Sequence, residues 1–136
     1  MYKSIIVAID LSHADRGNEI LKKASALVAE DGTLYLIHVL PHIPGYVDTY
    51  LPEEVIAQSR LDAEVRLRQM AQDMGIKARA IIRSGQPHDE ILNEADTQNA
   101  DLIIVASHHP GLTDYLIGST AGRVVRHAQC SVLVDR

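Results

Sequence analysis

The chain contains no phenylalanine, no tryptophan and a single cysteine. Without the two large aromatics its core must be built from Ile, Leu, Val and Ala. With five tyrosines as the only aromatic supply, the stacking platforms of single-strand nucleic-acid binders are poorly represented. The one cysteine, Cys130, cannot close an internal disulfide, and beside an apolar strand pattern it reads as a buried, inert thiol. Positive charge is also scarce: 13 Lys and Arg stand against 18 Asp and Glu, a net charge of -5. That balance argues against a phosphate-backbone surface, so no nucleic-acid partner is expected. No run approaches the roughly 18 apolar residues of a membrane span. "MYKSIIVAID" enters a strand pattern without a signal-peptide layout, so no membrane partner and a cytoplasmic location are expected. Neither G-x-x-x-x-G-K-[ST] nor G-x-G-x-x-G follows that first strand, where "AIDLSHAD" stands, which disfavours a P-loop NTPase and a standard NAD enzyme. Low-complexity tracts, solenoid repeats and domain-splitting linkers are lacking too, and 136 residues are expected to form one domain, 1–136.

What is present is an alternation. "SIIVAID" (Ser4 to Asp10) is a short, nearly continuous β-branched run, as in a strand buried on both faces. Ile20, Leu21, Ala24, Leu27 and Val28 follow at helical spacing, with Asp31-Gly32 as the stop signal. "LYLIHVL" (Leu34 to Leu40) is a second buried strand, ended by the prolines and glycine of "PHIPGY". From about Glu53 to Met74, Val55, Ile56, Leu61, Val65, Leu67 and Met70 predict a long amphipathic helix with a charged solvent face, closed by Gly75. "ARAIIR" (Ala78 to Arg83) is a third strand. "SGQPHDEILNEADTQNA" places Pro near a helix start. "DLIIVAS" (Asp101 to Ser107) is the fourth and most apolar strand, a helix spans roughly Ser119 to Ala128, and "SVLV" (Ser131 to Val134) is the fifth strand. Buried strands alternating with helices imply a five-stranded parallel sheet in a doubly wound, Rossmann-like α/β sandwich.

In such a sheet ligands settle at the carboxyl ends of the strands where the winding reverses. Strand one delivers Asp10 there, strand two His38 and Val39, and strand four Ala106, Ser107, His108 and His109. Asp10 suits a ribose hydroxyl pair, or equally the cap of the helix that follows. Gly118-Ser119-Thr120 opens a helix, where unpaired N–H groups and a partial positive charge suit phosphate; the plain alternative is an N-cap at Ser119 or Thr120. Arg123, one turn further, reads as a phosphate contact or as a solvated surface arginine. The His108-His109 pair lacks a second ligand cluster at metal spacing, so no metal site is expected. Ser107, His108 and Asp10 do not sit in the G-x-S-x-G elbow of a hydrolase triad.

From "SIIVAIDLS" through "LYLIHV" and "SGQPHDEI" to "DLIIVASHHPGLTDYLIGSTAGRVVRHAQCSVLV", the chain resembles the universal stress protein family. The resemblance implies the five-stranded fold of the adenine nucleotide alpha hydrolase type, dimers through the last strand, and, in one branch, bound ATP. That branch resembles a pattern of glycine, two residues, glycine, nine residues, then Gly-Ser or Gly-Thr. Gly118 and Ser119 match its end, and Ser107 and His108 match the family's Ser-His pair. Ala106 and His109 replace the first two glycines, and the spacing to Gly118 is one residue short. On the family positions Asp10 holds ribose and Ala8 and Val39 flank adenine. Ala106 permits close approach, and Ser107, His108 and His109 with Gly118, Ser119 and Thr120 line the triphosphate.

The expected function is therefore an ATP-binding, dimeric stress-response or signalling module, with a tetramer and an accompanying Mg2+ left open. No side chain stands out as a general base to activate water, so any ATP hydrolysis is expected to be slow. The alternative, motivated by the missing glycines, is a protein-interaction module of the same fold that binds no nucleotide. A nucleotidyl transferase of related architecture would show an HxGH-type signature that "DLSHAD" does not supply.

Overall fold

The structure, a computed structural model, describes residues 1–41, 51–107 and 118–136. Along the described residues the chain runs β1 (Tyr2–Ala8), a 3-10 turn (Leu11–His13), α1 (Ala14–Leu27), β2 (Val28–Leu40) and α2 (Glu53–Asp73). It continues with β3 (Arg79–Ser84), α3 (Pro87–Thr97), β4 (Leu102–Ala106), α4 (Ser119–His127) and β5 (Ser131–Asp135). The five strands form one sheet in the order β3-β2-β1-β4-β5, every neighbouring pair parallel. This is the doubly wound α/β arrangement expected from the sequence, with the winding reversed between β1 and β4.

Ile5, Ile6 and Val7 are all fully buried. Successive strand residues face opposite sides, so both faces of β1 must be covered. One face gathers Ile5, Val7, Leu36 and Ile104 with Ile20, Leu21 and Ala24 of α1 and Ala63, Leu67 and Ala71 of α2. The other gathers Ile6, Ile37, Ile103 and Val105 with Ile91 and Ala95 of α3 and Ala121 and Val124 of α4. Each buried Ile or Leu contributes about 1.5–3 kcal/mol relative to exposure, which makes the central strands the most costly part of the molecule to open. The start of β1 is fastened by Asp101, whose carboxylate accepts the Lys3 N–H at 2.9 Å and the Ser4 N–H at 3.0 Å.

Two expectations need correction. The first helix ends at Leu27, not at Asp31-Gly32, because Val28 already pairs with Tyr2 of β1. The next pairing is Ser4 with Thr33, so β2 bulges through residues 29–32. Gly32 belongs to that bulge: a Cβ there would lie 2.7 Å from Val28 Cγ2 and 3.0 Å from the Tyr2 carbonyl oxygen. The second correction concerns α2, which turns Ala63, Leu67 and Ala71 inward. Val55, Leu61 and Val65, expected on its apolar face, are 52%, 55% and 61% exposed. Two alanines one helical turn either side of Leu67 let the helix backbone approach the sheet closely, and the bulkier stripe is left outside. As expected, α2 stops at Gly75, which takes the left-handed conformation at φ 66° that glycine adopts without steric penalty.

Gly32→Ala is expected to lower stability by about 1–3 kcal/mol, since the added methyl meets backbone as well as a branched side chain. Gly122→Ala, inside α4 with nothing within 4 Å of the new Cβ among the described residues, should instead raise it by about 0.5–1 kcal/mol. Urea unfolding of the two variants beside the parent checks both directions.

Candidate functional site

Past Ala8, the Ile9 N–H still donates to the Ile37 carbonyl at 2.8 Å, and the chain then turns away from the sheet. Asp10 caps the 3-10 turn: its Oδ1 accepts the Ser12 N–H at 3.0 Å and the Ser12 hydroxyl at 2.6 Å. His13 Nε2 lies 3.9 Å from Oδ2, and the carboxylate is 62% exposed. The capping role left open by the sequence is thus taken by one oxygen, while the other faces outward beside His13. Partial burial pushes the Asp10 carboxyl up, but the Ser12 hydroxyl and N–H, with His13 and His38 nearby, outweigh it and hold the group below its ordinary value of 3.8. It stays ionised through neutral pH, with both oxygens available only as acceptors.

Two further side chains fix this turn. His38, near the end of β2, places Nδ1 3.0 Å from the Ile9 carbonyl oxygen and 3.4 Å from the Leu11 nitrogen. With its proton on Nδ1 the ring donates to the carbonyl, the shorter contact. From α2, the Arg66 guanidinium donates to the Leu11 carbonyl at 2.8 Å. The sequence brought His38 to this end of the sheet without indicating its role, and Arg66 carried no local signal.

Ala8 and Val39 are half-buried on the α3 and α4 side of the sheet. The helix α4, also on that side, begins at Gly118. Gly118 is itself the N-cap, at φ -57° and ψ 159°, so the expected alternative of a Ser119 or Thr120 cap is not what forms. Ser119 is exposed and Thr120 half-buried in the first turn. Arg123 is exposed, without a hydrogen-bond or ion-pair partner among the described residues. Ala106 turns the other way, packing on the α1 and α2 side, so only its backbone can border the space above Ala8. The Ser107 N–H donates to the Asp135 carbonyl at 2.7 Å, which ties the start of the β4 turn to the end of β5. His108 and His109 lie outside the described residues.

Sequence reasoning missed the cluster around that carbonyl. Arg16 of α1 donates to the Asp135 carbonyl at 2.6 Å, and Lys23, two turns on, pairs with Oδ1 of the same residue. The Asp135 side chain is nearly fully buried; its Oδ2 lies 3.8 Å from an Arg16 guanidinium nitrogen, and neither that oxygen nor the Arg16 Nε has a hydrogen-bond partner among the described residues. The only signal available was a carboxylate directly after the last strand and two cations seven residues apart on one helix. Cys130, at the opposite end of the sheet, is half-buried where the sequence suggested a buried thiol. Burial, with the Asp101 and Asp96 carboxylates, pushes its thiol up and away from thiolate chemistry.

Comparisons place this geometry among known proteins. The family model described as universal stress protein family matches residues 1–136. Universal stress protein G of Escherichia coli O157:H7 is 32% identical over 145 aligned residues, covering 100% of both chains. The solved structure of hypothetical protein MJ0577 superposes with a TM-score of 0.79 at 27% identity, covering 99% of this chain and 96% of that one. A universal stress protein from Archaeoglobus fulgidus, solved in complex with dAMP, has a TM-score of 0.66 at 20% identity and covers 99% of this chain and 98% of its own.

Because the folded Asp10 carboxyl titrates below its unfolded value, its contribution to stability is present above the unfolded pKa and is lost as pH falls through the folded one. Ser12→Ala removes the hydroxyl donor. In that variant the Asp10 pKa, followed by side-chain carboxyl NMR, should move up toward its ordinary value, and the acid limb of the stability curve should shift with it.

Proposed function

Since the chain belongs to the universal stress protein family, we propose that it binds an adenine nucleotide, ATP foremost, in the crevice at the carboxyl ends of β1 and β4. The observation that carries the reading is the start of α4, which no side chain caps among the described residues. Its N-cap is Gly118, which has no side chain to satisfy the first N–H groups, and it opens on the side of the sheet that carries Ala8 and Val39. Helix N-termini bind phosphate through such N–H groups and the helix dipole. The outward oxygen of Asp10 then suits a ribose hydroxyl, Ala8 and Val39 provide a small apolar seat for adenine, and Ser119, Thr120 and Arg123 lie within the first two turns of α4. The dAMP complex of the Archaeoglobus relative is consistent with this use of the fold, but at its level of identity the case rests on the residues of this chain. Residues 1–136 act as one domain, cytoplasmic, reading nucleotide state in a stress response. Turnover is at most slow, because an aspartate with a lowered pKa is a weak general base.

Ala106 and His109, which stand where the family pattern has its first two glycines, favour one competing reading, an interaction module of the same fold without nucleotide. Isothermal titration of nucleotide-stripped protein separates the two. The parent should bind ATP saturably. Gly118→Val should weaken binding by about tenfold or more, since the branched side chain blocks approach to the amides. The Gly118 backbone angles are open to any residue, so the change tests access and not strain. No saturable binding by the parent rejects the nucleotide reading, and titration with and without Mg2+ reports whether the cation accompanies it.

The same proposal includes a homodimer. The strand β5 is an edge of the sheet, hydrogen-bonded to β4 on one side only among the described residues. An isologous pair of such strands satisfies both edges. Sedimentation at micromolar concentration is expected to give a dimer, and Val132→Lys a monomer. A monomeric parent would dismiss this assembly, and a tetramer would extend it.

A further inference from the structure

The opposite edge of the sheet, β3, carries a different surface. Gly85 donates to the Leu40 carbonyl at 3.1 Å, so the odd-numbered residues of this stretch turn their backbone groups toward β2 and the even-numbered ones turn outward. The outer edge is treated unequally along its length. Toward the carboxyl end, Arg60 of α2 reaches over it, donating to the Ile82 carbonyl at 2.7 Å and to the Ser84 hydroxyl at 3.3 Å. Nothing among the described residues does the same for Ala80, whose outward N–H and carbonyl remain open.

Beside this open half lies a groove of about 610 Å³ between α2 and the strand. Ala71, Ile76 and Ala80 give it an apolar floor on the α2 side, where Ile76 and Ala80 pack against the core. Arg68, Lys77 and Arg79 border it, and no acidic residue does among the described residues. Arg68 shares its charge with Glu64 at 2.6 Å, and the Arg79 guanidinium lies 6.0 Å from the centre of the Tyr35 ring on the other face of the sheet. Lys77 has no partner among the described residues. Lys77 beside the groove and Arg79 across the strand, neither with a carboxylate partner among the described residues, favour an anionic occupant on a chain of net charge -5. The open backbone selects an extended one.

We propose that the open half of β3 receives an extended acidic peptide segment of another protein as a sixth strand. Its backbone pairs with the outward N–H and carbonyl of Ala80. Alternate side chains of a strand point to opposite faces, so apolar residues of the segment enter the groove over Ala71 and Ile76. The intervening carboxylates meet Lys77 and Arg79. This surface lies on the far edge from β5 and does not depend on the nucleotide reading.

The probe is a fluorescein-labelled octapeptide of alternating valine and glutamate, followed by fluorescence anisotropy on the full chain. Saturable binding that weakens with added salt is expected, with none for the valine–lysine counterpart. The double variant Lys77→Glu with Arg79→Glu should bind about tenfold more weakly or worse. Ala80→Pro removes only an outward N–H, which leaves the β2 pairing intact, and should abolish binding. Should that variant fail to fold, amide exchange on the unaltered protein decides: slowed exchange at Ala80 on adding peptide supports the proposal, and unchanged exchange overturns it. It is equally overturned by no saturable binding, by an Ala80→Pro variant that binds like the parent, by an oligonucleotide that takes the site with the same dependence on Lys77 and Arg79, or by self-association that the proline abolishes.

Discussion

The constraint on which the rest depends is the handedness of the crossovers. A right-handed connection between parallel strands sends each helix to the face dictated by the direction of travel along the sheet. From β1 the chain travels outward to β2 and β3, and α1 and α2 come to cover one face. It then crosses back over the sheet to β4 and β5, and α3 and α4 cover the other. Between β1 and β4 the winding reverses, with α1 after β1 on one face and α4 after β4 on the other, so the carboxyl ends of these two strands mark the switch point at which such sheets open. The opening is a by-product of satisfying both faces of Ile5, Ile6 and Val7, and it would exist whatever filled it.

What this chain adds is rigidity at the rim. Asp10 is held by Ser12, and the backbone on either side of it is held by His38 from the next strand and by Arg66 from α2. Across the opening, the Asp135 carbonyl accepts from both Ser107 and Arg16, so the last strand, the β4 turn and the first helix meet at one oxygen. A polar group presented this way loses little conformational freedom when it meets a ligand, which is how an exposed carboxylate becomes selective.

The sequence discloses the layered plan because its strands are short, apolar on both sides and bounded by turn residues, and a strand of that kind has few other ways to be satisfied. It is silent where two local readings have equal merit. Val28 and Ala29 continue the helical spacing of α1 as well as they begin β2, and only pairing with Tyr2 decides. In α2 two apolar stripes compete, and the choice falls to the one whose alanines permit close approach. For Asp10 the cap and the ribose readings are not exclusive, since a carboxylate has two oxygens. Asp135 and Arg66 escape notice because their partners lie far away in the chain, and spacing within a segment carries no trace of them.

The central position of β1 also shapes how the molecule comes into being. Of the five strands it is made before the other four, and β2 can pair with its near side early. The far side has no partner until β4 emerges, and the clamp of Asp101 on Lys3 and Ser4 closes only then. Until β4 is made the nascent chain therefore carries an unsealed apolar seam along β1, a window in which holding chaperones or chance pairing with a neighbouring polysome compete for the same backbone groups.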